Sequence, residues 1–162
     1  MFRLIEEIHD HELVEKSGGI DLLIHNASIY HEEDFSTVTP QELRRFTSIH
    51  LDAPFFMTQG LVPKIKQKKG SIIGIVDTSW GQSWENLSHY TATKAALRQL
   101  LINLSGELAP EIRVNGVAPG AILAAAWEKD RFEEVLKQVP MGRAGSPDDI
   151  ANAVKFLADA DY

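Results

Sequence analysis

The chain has 162 residues, enough for one domain with a hydrophobic core. Hydrophobic residues make up 44% and charged residues 24%, and the net charge of −7 leaves no basic excess to neutralise phosphates, which argues against nucleic-acid binding. There is no cysteine, so disulfides, thiol catalysis and thiolate metal sites are excluded, and no apolar run reaches the ~20 residues needed to span a bilayer. These features fit a cytoplasmic protein. The run Lys64, Lys66, Lys68, Lys69 reads as a solvated helix end favoured by the helix dipole.

The segment from Met1 is acidic and amphipathic, unlike a signal peptide. Phe2, Leu4, Ile5, Ile8 and Leu13 predict one helix ending before Ser17-Gly18-Gly19. His9 and His11 stand close together but lack a third converging ligand, so no metal site is expected. Asp21 to Asn26 reads as a short buried strand with polar residues at its C-terminal end, and Ala27 to Val38 as a polar loop. Thr39-Pro40-Gln41-Glu42 is a helix start with a Thr cap, Pro at the first position and Glu completing a capping box. That helix is expected to run to about Lys68 with a kink at Pro63.

Ser71 to Val76 alternates too little for a half-exposed strand and is expected to be a buried one. A turn at Asp77 to Gly81, a polar loop to Leu87 and a helix from Tyr90 to Leu108 follow. Ile112 to Val117 is the third strand, Pro119-Gly120 turns the chain, and a helix is expected from Glu128 to Gln138. Ser146-Pro147-Asp148-Asp149 opens a last helix to about Ala158. Strand and helix alternate three times without linkers or repeats, which predicts a single α/β domain, 1–162, with a parallel sheet.

Tyr90 and Lys94, four residues apart on a helix, project from one face. An ammonium beside a phenol favours the phenolate, so Tyr90 is expected to be acidified and able to exchange a proton with a carbonyl, imine or alcohol. Such a pair arises often by chance, but this one adjoins a polar cluster at the C-terminal end of a buried strand, where open α/β sheets bind ligands.

Tyr90-Thr91-Ala92-Thr93-Lys94 resembles the Tyr-x-x-x-Lys pair of the short-chain dehydrogenases/reductases. Leu23-Ile24-His25-Asn26-Ala27-Ser28 is similar to that family's Asn-Asn-Ala-Gly segment. Arg113 to Gly120 looks like its Arg-Val-Asn-x-Val-x-Pro-Gly segment, and Met141-Gly142-Arg143 with Pro147 to Ala151 like the start of its late helix. The resemblance implies an incomplete doubly wound, Rossmann-like sheet. No Gly-x-x-x-Gly-x-Gly occurs, so the chain is read as truncated at both ends, lacking the first βαβ half and its cofactor loop. The first strand would then be left as an unpaired edge.

The family's polarising Ser stands thirteen residues before the Tyr, which here is Asp77, with Thr78 and Ser79 just after it. An Asp there resembles the pteridine reductase branch, and His50 in place of the usual Asn is similar to dihydromonapterin reductases. The resemblance implies Tyr90 as acid and Lys94 as its tuner and ribose clamp. It implies Asp77 as polarising or second acid, and His50 as holder of a relay water. Asn26, Ala27, Tyr90, Lys94, Pro119 and Gly120 would touch the cofactor, NADPH in preference to NADH. Plainer roles stay open: Asp77 as a turn cap with Thr78 or Ser79 in the Ser role, His50 as a core histidine, Asn26 as a strand brace, Pro119-Gly120 as a turn. Trp80, Trp84 and Trp127 are candidates either to stack on a flat ring or to close the core.

The implied function is reduction of a pterin-like or carbonyl substrate, with a homo-oligomer formed through the Thr39 and Tyr90 helices. The rivals are a non-catalytic remnant acting through those helices, and a 3-oxoacyl or carbonyl reductase using Thr78 or Ser79.

Overall fold

The computed structural model describes residues 2–161; the side chains of Phe2, His9 and Asp130 lie outside the described residues. The Phe2 part of the first amphipathic stripe and the His9 part of the histidine pair therefore go undescribed. The expected single N-terminal helix is two, α1 (Phe2–His9) and α2 (Glu12–Ser17). The break falls at His11, whose Nδ1 accepts the Leu13 N–H at 3.2 Å and caps the second helix. Gly18 ends α2 in the left-handed conformation (φ 76°), as a helix C-terminus favours.

The three strands β1 (Leu22–His25), β2 (Ser71–Ile75) and β3 (Arg113–Val117) form a parallel sheet in the order β1-β2-β3. Ile24 pairs with Ile73, and Ile73 with Asn115. The pleat sends Ile72 and Ile73 to opposite faces, and both are fully buried, as a β-sheet core requires. On the Ile72 side, Leu61 and Ile65 of α4 (Ala53–Gln67) and Leu97 and Leu101 of α5 (Ser88–Glu107) form the main core with Val76, Ile112 and Val114. Each such side chain contributes roughly 1.5–3 kcal/mol on burial. Helix α7 (Pro147–Asp159) packs along β2 and β3, and Ile24 of β1 stays 42% exposed. Arg113 fastens α7 by donating to the Leu157 and Ala158 carbonyls at 2.7 and 3.0 Å.

The long helix after Thr39 is interrupted, and not where Pro63 predicts. It begins as α3 (Pro40–Thr47), widens into a π-helical turn over Ser48–Asp52, and resumes as α4, which continues through Pro63. The prolines differ in what precedes them: the wide turn ends just before Pro54, which has no N–H to give. Thr39 Oγ1 accepts the Glu42 N–H at 3.1 Å, while the Glu42 carboxylate is taken up by His31 and Arg45. The complete capping box is at the last helix, where Ser146 and Asp149 bond reciprocally. The remaining helix, α6, spans Lys129–Leu136.

Candidate active site

Because the strands are parallel, their C-terminal ends lie along one edge of the sheet. Asn26 and Ala27 follow β1 directly, Asp77 follows β2, and Pro119 and Gly120 follow β3. Tyr90 enters from the first turn of α5 and is buried, 7% exposed.

The Tyr90 hydroxyl donates to Asp77 Oδ2 at 2.7 Å. Asp77 Oδ1 accepts the Ser79 N–H at 2.7 Å, so the carboxylate both caps its turn and meets the phenol. Thr78 Oγ1 is turned the other way, donating to the Pro119 carbonyl at 3.3 Å. Lys94 is buried, donates to the Ile75 carbonyl at 2.9 Å, and lies 5.8 Å from the centre of the Tyr90 ring.

This geometry reverses the expected tuning. Burial and then the Asp77 carboxylate push the Tyr90 phenol well above the ordinary tyrosine range. Burial in turn lowers the Lys94 pKa, against the opposing pull of Asp77. Tyr90 therefore holds its proton at neutral pH.

His50 lies in the π-helical turn, 1% exposed, its ring 5.7 Å from that of Tyr90. Nε2 meets Ser28 Oγ at 2.9 Å and accepts the Ile29 N–H at 3.4 Å. A backbone N–H only donates, so Nε2 is the acceptor and Nδ1 carries the proton of the neutral ring. Nδ1 then donates to Thr93 Oγ1 at 2.8 Å, and Thr93 donates to the Tyr90 carbonyl at 2.8 Å. Burial first, and the Lys94 charge second, lower the His50 pKa to about 4. The histidine thus connects the β1 loop to the Tyr90 turn, and no direct bond joins it to Lys94. His25, at the end of β1, is also buried, bonded to Thr58 at 2.8 Å, and held at about 4 by burial.

Two residues outside the sequence-based set complete the surroundings. Tyr30 donates to Glu128 Oε1 at 2.6 Å, and Glu128 Oε2 accepts the Ala125 N–H at 3.2 Å. The Tyr30 ring lies 4.8 Å from Tyr90 and 5.0 Å from Trp127. Burial and Glu128 raise the Tyr30 phenol above its ordinary range. Arg131 pairs with Glu32 across the same seam. Tyr30 and Glu128 are 98 residues apart in the chain, and no local pattern announces them. Of the three tryptophans, Trp127 reaches the site through Tyr30, Trp84 packs in the smaller core, and Trp80 is exposed and faced by Arg98. Asn26, Ala27 and Gly120 are exposed along the strand ends, with open space around the Gly120 Cα.

The family model described as enoyl-(acyl carrier protein) reductase matches residues 6–162. The chain belongs to the short-chain dehydrogenase/reductase family. It is 36% identical over 160 residues to a glucose and ribitol dehydrogenase homolog of Oryza sativa subsp. japonica, covering 90% of this chain and 53% of the relative. It is 34% identical over 151 residues to the 3-oxoacyl-[acyl-carrier-protein] reductase FabG of Aquifex aeolicus, covering 90% and 61%. A short-chain dehydrogenase/reductase crystal structure from Brucella melitensis, a glucose/ribitol dehydrogenase, superposes with a TM-score of 0.83 at 35% identity, covering 90% of this chain and 60% of that one. The chain thus spans a little over half the length of these short-chain dehydrogenase/reductase relatives.

Proposed function

We propose that this chain carries the proton-transfer half of a nicotinamide-dependent reductase site acting on a C=O or C=N bond. The 2.7 Å bond from Tyr90 to Asp77 carries the reading, because it sets a phenol and a carboxylate together at the strand ends. Hydride from a bound nicotinamide would supply the reduction. Reduction of a carbonyl leaves an alkoxide far more basic than a phenolate, so Tyr90, even with its raised pKa, donates its proton downhill. Asp77 orients the hydroxyl, and it is the nearest group to accept or return a proton. Thr78, engaged with Pro119, is less suited to that part.

The residues fit such a cofactor. The Lys94 ammonium has three donors and spends one on Ile75, leaving two for ribose hydroxyls. Asn26 and Gly120 leave the strand ends open to a flat ring. The Asp77 carboxylate favours a substrate nitrogen that takes up a proton, which supports a pterin-like substrate; the likeness to FabG supports a plain carbonyl. The exposed Leu43 of α3 and Ile102 of α5 support association through those two helices.

The test is titration of the purified chain with NADPH and NADH, with circular dichroism on the same sample, then turnover of a dihydropterin and a simple ketone. Saturable binding and turnover that Tyr90→Phe lowers by about 100-fold or more would support the reading. Loss in Asp77→Ser but not Thr78→Ala keeps Asp77 in the site; the opposite pattern gives the role to Thr78. A folded chain that binds neither nucleotide would refute catalysis by this chain and favour the associating remnant.

A further inference from the structure

The wide turn that carries His50 has a chemical cause four residues downstream. In a continuous α-helix the residue at position 54 would donate its N–H to the His50 carbonyl, four residues back. Pro54 has no N–H, and its ring collides with that carbonyl if the helix stays regular. The turn before it is correspondingly widened, with the Ala53 N–H reaching back five residues to the Ser48 carbonyl. One extra residue in a turn rotates everything on its N-terminal side by about 100° relative to everything after it. Isolated π-helical turns of this kind are uncommon and concentrate at functional sites.

We infer that Pro54 is a positioning residue: with no N–H to close a regular turn, it favours the π form of the Ser48–Asp52 turn in which the His50 ring docks between Ser28 and Thr93. The three ring contacts depend on this register. Phe46, one turn earlier on α3, faces the same cluster and touches the His50 ring edge-on at 5.7 Å, so the rotation is shared by both sides of the site. Pro63 is the internal control. It lies in the same helix, also lacks an N–H, and α4 continues through it.

The consequence for catalysis rests on the proposed function, but the test does not need turnover. Nitrogen-15 NMR of the His50 imidazole, assigned by its loss in His50→Gln, reads the tautomer directly. The intact chain is expected to show one fixed form, protonated on Nδ1 and bare on Nε2. Pro54→Ala restores an N–H and permits the regular helix. It is expected to keep its helical circular dichroism while His50 loses the fixed form and averages between tautomers. Pro63→Ala is expected to leave the His50 signals in place. Retention of the fixed Nδ1–H form in Pro54→Ala would overturn the inference. So would unfolding of Pro54→Ala while Pro63→Ala stays folded, because Pro54 would then serve the fold and not the ring. Absence of nucleotide binding, by contrast, touches only the enzyme reading.

Discussion

Burial raises the Tyr90 phenol first, and its bond to the Asp77 carboxylate raises it further. Asp77→Asn removes the charge while keeping an acceptor, so the tyrosinate absorbance of Tyr90 is expected to appear at lower pH than in the parent chain. No change would mean that burial alone holds the phenol up. His25 and His50 give a second pH signature. Both pKa values are about 4 in the folded chain, against roughly 6.5 for a free imidazole. The unfolded state therefore binds the extra protons, and stability is retained above about 6.5 and lost as pH falls towards 4. At pH 5 the loss is roughly 2 kcal/mol per histidine. The urea midpoint is expected to fall between pH 7 and pH 5, and His50→Gln to flatten that slope. Tyr90, Lys94, Asp77 and His50 were all legible as candidates in the sequence. The direction of the Tyr90 shift was not, because spacing puts Lys94 on the right helix face without saying that the phenol is buried against the Asp77 carboxylate.

At the scale of elements, β2 packs closely against α5. A Cβ at Gly74 would overlap the Leu101 side chain of α5. Gly74→Ala is expected to destabilise by about 1–3 kcal/mol in denaturant titration, the cost of overpacking. Ser146→Ala removes the one complete capping box and is expected to cost about 1 kcal/mol, read the same way. The strands and most helix starts were legible because buried apolar runs and Ser/Thr-Pro starts are local signals. The division of the Thr39 helix was not. Both Pro54 and Pro63 sit in helical pattern, and nothing local says that the turn opens before Pro54 while the helix continues through Pro63. Tyr30 and Glu128 were equally hidden, since a polar loop and a helix start show nothing of a contact formed across the whole fold.

On the scale of the whole molecule, the sheet is unevenly covered. Parallel sheets are ordinarily buried on both faces, yet Ile24 of β1 is 42% exposed, and β1 has no strand on its outer side among the described residues. Sedimentation is expected to show concentration-dependent association that Ile24→Lys weakens; a monomer at every concentration would show that the edge is quiet.

The ring stack over Tyr90 has an optical consequence. Tyr30 lies against the Tyr90 ring and is the ring on which Trp127 rests, so a ligand that displaces Tyr30 alters the surroundings of Trp127. The protein thus carries its own lamp for occupancy: the emission of Trp127 is expected to change when the site fills, and Trp127→Phe is expected to remove that part of the change, leaving the emission of Trp80 and Trp84.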